Sequence, residues 1–348
     1  MARRTAKTTL APMEHAATHV PGHRIDSWNH ELPDPEGGGF FGDRASHTRF
    51  HETLDRLRRR ERTGRDPFAR DGDTGTKRLD ETMLGGDPDG AHLVHLAVEE
   101  YARNLADVTR CFLGLPEWEG VERIVMGGSM PQSMHGALAV RRAARLLRQS
   151  RVPVELTVLA HDPDEGGLLG WVPLSPAEVR RYEAFLAVDI GGTNYRCGIV
   201  TPRFDLAKDG SKAEVYERLH WRHAEDGPDR GESVERIAGM LNGLAALART
   251  VGLKLAPFVG VACPGRIEPD GRISQGTQNL PGDWEIPFDL PKALRARLDR
   301  IDGQAPTVLM HTDAVVQGLG EHADMHDVKR WAVFTVGTGL GNASYTRL

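Results

Sequence analysis

Two stretches of this chain carry residue types that could hold a phosphate. The first, FLAVDIGGTNYRCGIV over 185–200, is an apolar run ending in Asp189, then Gly191, Gly192 and Thr193, then a second apolar run. That pattern reads as a β-hairpin whose turn brings backbone N–H groups close to an anion. Glycine at the turn removes the Cβ that would hold a phosphate away, and it admits a positive φ. Asp189 beside an anion calls for a cation between them, which makes bound Mg²⁺ the natural inference. The second stretch, WAVFTVGTGLGNASY over 331–345, repeats the theme: a strand-like run meets Gly337, Thr338, Gly339 and Gly341, and alternation then resumes. A single glycine-rich turn is usually only a turn. A pair of them, one in each half of a two-lobed protein, would grip a polyphosphate from both sides.

The elements that must position these turns are legible as periodicity. Leu93, Leu96, Ala97, Tyr101, Leu105, Val108 and Phe112 recur at three-to-four spacing and predict a helix over 91–113 with one face in a core. A strand at 121–126, a helix near 134–149 and a strand at 153–159 form a βαβ unit, which implies a parallel pair and a right-handed crossover. Gly127 and Gly128 fall where its first strand ends, the place where open α/β sheets bind ligands; the plainer reading is relief of a tight turn. A second lobe begins near Arg181. It continues with a strand at 213–221, a helix over 233–250 capped by Ser233, a buried strand at 257–263, a helix around 290–301 and a strand at 307–310. His311, Thr312 and Asp313 close that last strand where another helix begins, so the helix N-terminus would stabilise the Asp313 charge. In isolation Asp313 reads as a helix cap.

Composition narrows the function classes. The chain has 348 residues, enough for two lobes, and a formal charge of −5 without a basic stripe, so nucleic acid is not an implied partner. Cys111, Cys197 and Cys263 are widely separated, as expected of reduced thiols in a cytoplasm. No apolar run is long enough for a membrane span, and the start MARR lacks the apolar stretch of a signal peptide. A soluble cytoplasmic protein follows as the expectation. Residues 1–48 have clustered Pro, Gly and His with little periodicity and read as loops, partial disorder or an ordered active-site flap. The basic run 52–62 reads as a helix with a solvated face, and 63–76 as a loop.

The pattern Asp189-x-Gly-Gly-Thr-x-x-Arg196-x-Gly198 resembles the first phosphate motif of sugar kinases with the actin-like ATPase fold, and more narrowly the bacterial glucokinase and ROK (repressor, open reading frame, kinase) group. The segments GVACPG (260–265), TQNLPGDW (277–284) and HTDAVVQGLGE (311–321) are similar to that family's sugar segments and first connecting helix, and 337–341 to its second phosphate motif. ERIVMGGSM (122–130) resembles its adenosine motif, and HDPDEGGLLG (161–170) the entry to its second connecting helix. The family order is phosphate 1, connect 1, phosphate 2, adenosine, connect 2. Here adenosine and connect 2 come first. The resemblance therefore implies an α/β, two-lobed actin-like or hexokinase-like (ribonuclease H-like) fold, circularly permuted. One lobe spans 49–180 and is completed by 322–348; the other spans 181–321. The competing organisation is an unrelated domain over 1–180 joined to a fragment.

The resemblance implies an ATP-dependent hexose kinase using Mg²⁺ and acting on a small sugar, glucose or a relative, at its 6-hydroxyl. Asp313 would be the general base. Phosphate and Mg²⁺ would fall to Asp189, Gly191, Gly192, Thr193 and Arg196, with Gly337, Thr338, Gly339 and Gly341 opposite; Gly127 and Gly128 would face adenosine. Asn279, Gly265 and Gly282 would serve the sugar. Thr312 stands where the family has Asn, and its shorter hydroxyl lacks the two-headed amide. The family also uses a Glu, often with a His, after the second phosphate hairpin; under permutation Glu14, His15, His19, His23, Glu31 and Glu36 are all open. The family's Cys-rich zinc segment is absent, and a homodimer stays open. Ala314, Gly318 and Gly320 against Gly166, Gly167 and Gly170 would allow two helices to cross closely between lobes. The rival readings are a binding protein of the same fold without turnover, a ROK-type repressor, disfavoured for want of a helix-turn-helix, and a kinase using polyphosphate as donor.

Overall fold

The structure, a computed structural model, describes residues 14–60, 68, 74–85 and 87–348. The first thirteen residues, positions 61–62 of the basic run and most of the 63–76 loop lie outside the described residues.

The strands form two sheets in a mixed α/β arrangement. The six-stranded sheet runs in the order β1 (His19–Val20), β2 (His23–Trp28), β11 (Leu340–Arg347), β10 (Arg330–Val336), β3 (Arg123–Gly127), β4 (Glu155–Val158). The five-stranded sheet runs β7 (Glu214–Trp221), β6 (Tyr195–Thr201), β5 (Ala184–Ile190), β8 (Leu255–Cys263), β9 (Thr307–Thr312). In the second sheet, β5, β6 and β7 pair antiparallel in succession, and β8 and β9 add parallel on the other side of β5. The first sheet has the same pattern about β10: β11 and β2 add antiparallel on one side, β3 and β4 parallel on the other. Its third strand is the N-terminal β2. The segment 14–48, expected as loops, partial disorder or a flap, thus supplies β1 and β2 of the sheet, and β2 joins that sheet through its pairing with the distant β11.

Local signals set most helix boundaries. The helix Pro88–Leu113 opens with the Asp87 side chain accepting from the Asp89 and Gly90 amides, and with Pro88 at its first position. The helix Met134–Gln149 crosses between β3 and β4 as its periodicity predicts. Arg230–Thr250 starts earlier than expected. Its cap is Asp229, in a reciprocal capping box with Glu232, and Ser233 is buried in the first turn. Leu290–Arg295 is shorter than the predicted 290–301; Asn242 accepts from the Asp299 amide and pulls the chain off the helix path. The basic run belongs to the helix His47–Arg60, with Phe50, Leu54 and Leu57 inside and arginines outside.

Each sheet has its own core, and a third core joins them. That shared core holds Val125, Val333 and Tyr345 from the first sheet, Phe185, Val200 and Phe258 from the second, and Ala314, Val315 and Val316 from the helix Asp313–Gly320. Tyr345 stacks on Trp331 at 4.1 Å and donates its hydroxyl to the Val315 carbonyl at 3.0 Å. A Cβ on Gly318 would collide with that hydroxyl, and one on Gly170 with the Val316 carbonyl. The small residues therefore let the helices Asp313–Gly320 and Gly166–Leu169 meet with backbone against backbone.

Candidate active site

A cleft of about 790 Å³ opens between the sheets and is lined by residues from both glycine turns. The first turn joins β5 to β6, with Asp189 opposite Arg196 in the ladder. Gly191 donates to the Asn194 carbonyl at 2.9 Å. From behind, His223 Nε2 donates to the Gly191 carbonyl at 2.9 Å while its ring stacks on Tyr195 at 4.0 Å. The second turn joins β10 to β11. The His47 amide donates to the Gly337 carbonyl and Thr48 Oγ1 to the Thr338 carbonyl, both at 2.9 Å, and Asp43 accepts from the Leu340 amide. The turns face each other: a Cβ built on Gly192 would lie 3.9 Å from Thr338 Oγ1.

Where a side chain is excluded from these turns, a neighbouring atom excludes it and not a positive φ. None of Gly191, Gly192, Gly337, Gly339 or Gly341 is left-handed. A Cβ on Gly192 would sit 3.1 Å from Asn279 Cβ, and one on Gly341 would collide with Thr335 Oγ1.

Asp189 is held at the end of β5. Burial pushes its carboxyl above the usual range, and Arg196, at 3.2 Å, opposes that rise. Arg196 also donates to Asp164 at 2.7 Å, so its guanidinium is shared between two carboxylates. Asp164, which lines the cleft, was not singled out from sequence. A largely buried carboxylate that lines the cleft and shares its cation partner fits a site for Mg²⁺, and the bare backbone of both turns fits a polyphosphate. Among the described residues no group of three or more His, Cys, Asp or Glu is arranged to hold a metal.

Asp313 follows directly on β9, half-buried, facing the cleft. The cap position of its helix is Thr312, which makes no side-chain cap bond, and Asp313 accepts only from its neighbours: the Ala314 amide at 2.8 Å and Thr312 Oγ1 at 3.3 Å. Both of these bonds fall on Oδ1, and Oδ2 takes neither. Burial first, and the Asp189 charge second, push its pKa up to about 6, the range of a base working near neutral pH. The preceding His311 is buried and pulled down to about 4 by that burial, hence neutral; it accepts from the Thr312 amide and donates to the Ala17 carbonyl.

Not every expected residue reaches the cleft. Gly265 and Asn279 line it, with Gly128 from the other sheet. Thr312 lies buried beneath the surface. Gly282, at φ +79°, packs against Arg230 outside the lining. Gly127 packs against Gln317, and Gly128, at φ +94°, against the Val336 carbonyl. Both glycines are thus explained by protein packing alone. Of the six N-terminal candidates only Glu31 lines the cleft. His15 accepts from the Met310 amide, His23 packs on His322, and Glu36 pairs with Arg44. Asn29 and His30, missed from sequence, line the cleft beside Glu31. No single-sequence signal marks them, because they are placed by β11.

No helix among the described residues is long and apolar enough to cross a membrane. No protein-family model and no curated protein matches this chain. Among solved structures, the Lmo2764 protein of Listeria monocytogenes, a candidate N-acetylmannosamine kinase, aligns at 22% identity and a TM-score of 0.34 over 47% of each chain. A candidate sugar kinase from Cytophaga hutchinsonii aligns at 20% and 0.34, over 47% of this chain and 48% of its own. An exopolyphosphatase from the same organism aligns at 16% and 0.29, over 47% and 51%. The chain thus spans about half the length of these structures. At such scores, the strand order and the cleft must carry the reading.

Proposed function

We propose that this cleft is the active site of a sugar kinase of the actin-like ATPase fold, with ATP as donor and a hexose hydroxyl as acceptor. The observation that carries the reading is the meeting of two bare-backbone turns across one cleft with the Asp313 carboxylate, bonded to its neighbours through Oδ1 alone, in the same cavity. Circular permutation of that fold is supported by the repeated strand order: counting from β10 and passing through β11 to the N-terminal β2 reproduces the order that begins at β5.

In this reading the turns hold the donor's phosphates by their amides. Mg²⁺ held at Asp189 would neutralise phosphate charge. Asn279, His30 and Glu31 would orient the acceptor. Asp313 takes the proton as the sugar oxygen bonds to the γ-phosphorus and the bond to the ADP oxygen breaks. A 6-hydroxyl of glucose or a near relative is the proposed acceptor. The test is coupled ADP release with Mg-ATP against hexoses, amino sugars and no sugar. Release that depends on one sugar supports the kinase; release without sugar dependence, or none, overturns it. A second reading keeps the acceptor and changes the donor to inorganic polyphosphate. It is favoured by the two bare-backbone turns, which offer amides to phosphate groups whether or not a nucleoside is attached. Product formed with polyphosphate and not with ATP would select it.

A further inference from the structure

The residue beneath the base, Thr312, carries a short hydroxyl, yet an amide does stand beside it. Asn29 Nδ2 donates to Thr312 Oγ1 at 2.9 Å and to the Gly265 carbonyl at 3.1 Å. A carbonyl can only accept, so the amide orientation is fixed by Gly265. Since Thr312 Oγ1 accepts from Asn29, its own hydrogen is free to point at Asp313 Oδ1, 3.3 Å away.

Asn29 comes from the opposite sheet and is itself clamped there. Its backbone N–H donates to the Asn342 carbonyl at 2.8 Å. The buried Asn342 side chain bonds both sides of the next peptide, accepting from the His30 amide at 2.9 Å and donating to the His30 carbonyl at 3.2 Å. Asn29 holds a left-handed φ of +48°, a conformation that Asn tolerates better than most residues. Asn342 lies on β11, one residue past the second glycine turn. A continuous path therefore runs from that turn through Asn342, the 29–30 backbone and the Asn29 amide to Thr312 and the base.

We propose that Asn29 is a positioning residue that supplies, across the cleft, the amide which orients Asp313 through Thr312, so that the base is set only when both lobes are engaged. This rests on the kinase reading above. Nothing in the sequence around 312 supplies that amide; only the fold of the N-terminal segment does.

The test compares wild type, Asn29→Gly, Thr312→Asn and the Asn29→Gly/Thr312→Asn double variant in steady-state phosphoryl transfer, with thermal unfolding of each. Glycine keeps the left-handed backbone and removes only the amide. Asn29→Gly is expected to lower kcat about 10- to 100-fold, the scale of a misplaced reacting group, with the ATP KM changed less than about twofold. Restoring an amide at position 312 in that background is expected to return about tenfold of the loss. Wild-type kcat in Asn29→Gly, or a loss that Thr312→Asn does not restore, would reduce Asn29 to a structural contact and overturn the inference. Absence of sugar-dependent turnover in the wild type would instead remove the kinase reading, and the inference with it.

Discussion

The two sheets are built to the same strand order, yet their glycine turns are supported by different means. The first turn is held by chain close at hand: His223 and the Gly191 carbonyl it binds are 32 residues apart. The second is held by the other end of the chain: Thr48 and the Thr338 carbonyl are 290 residues apart. The chemistry divides as sharply. After the fifth strand of the second sheet stands Asp313; after β4, the equivalent strand of the first, stand the buried Leu159 and then Ala160. In the kinase reading, a repeated scaffold thus supplies two matching phosphate grips while only one half carries a base.

The comparison breaks most visibly at that base. Asp313→Asn should leave folding and ATP binding intact while lowering kcat by about 10²–10⁴-fold, the usual worth of a general base. ADP release together with calorimetric ATP titration would check it, and near-normal turnover would show that the asymmetry between the sheets has no catalytic meaning.

Equivalent positions should respond alike where only packing is involved. Gly128 and Gly265 each follow the fourth strand of their sheet, at φ of +94° and +97°, with a backbone carbonyl where a Cβ would go. Alanine at either should cost about 2–4 kcal/mol from backbone strain and overpacking. Urea unfolding of the two variants measures this, and a large difference would mean that the sheets are not equivalent in packing.

Proton linkage offers a smaller effect confined to one half. The Asp313 pKa is raised to about 6 by folding, so the folded state holds this proton more tightly than the unfolded chain. The resulting stabilisation is full below the ordinary carboxylate pKa and is lost as pH rises through 6. Asp313→Asn should therefore be more stable than wild type by about 1–2 kcal/mol at pH 8, after allowance for its partial exposure, with the difference closing near pH 4. In the kinase reading, wild-type activity falls as pH drops below about 6, because the base becomes protonated. Melting curves and rate profiles across this range test both signs.

The smallest effects probe the braces. Thr48→Val removes one of the bonds to the second turn, leaving those of His47 and Asp43; His223→Phe removes its bond to the first while keeping the ring on Tyr195. Each should raise the ATP KM by about 3- to 10-fold, near 1 kcal/mol per hydrogen bond. An effect at His223 alone would show that the Thr48 bond is dispensable while those of His47 and Asp43 remain.

The same division explains what could be read in advance. The hairpin 184–201, the helix Met134–Gln149 and the strand leading to Asp313 announce themselves through local periodicity. The Asp229 cap was also visible as Asp-x-x-Glu, although Ser233 drew the assignment away. The segment 14–48 was not legible, because what makes His23–Trp28 a strand is β11, and what places Asn29 is Asn342. The turn glycines, expected to clear a path for phosphate and to admit a positive φ, have no positive φ, and at Gly192 and Gly341 it is Asn279 and Thr335 that a Cβ would meet, neighbours that the local sequence does not reveal.

The pairing of β2 with β11 also sets a timetable for biosynthesis. Ser27 and Ser344, hydrogen-bonded in the finished sheet, are 317 residues apart. At ribosomal speeds of about 5–20 residues per second, the early strand waits some 15–60 s for its partner. The five strands of the second sheet, all within 184–312, need no such wait. A nascent chain stalled once the helix Asp313–Gly320 has cleared the ribosome should already protect that sheet from protease, with β2 still cleavable.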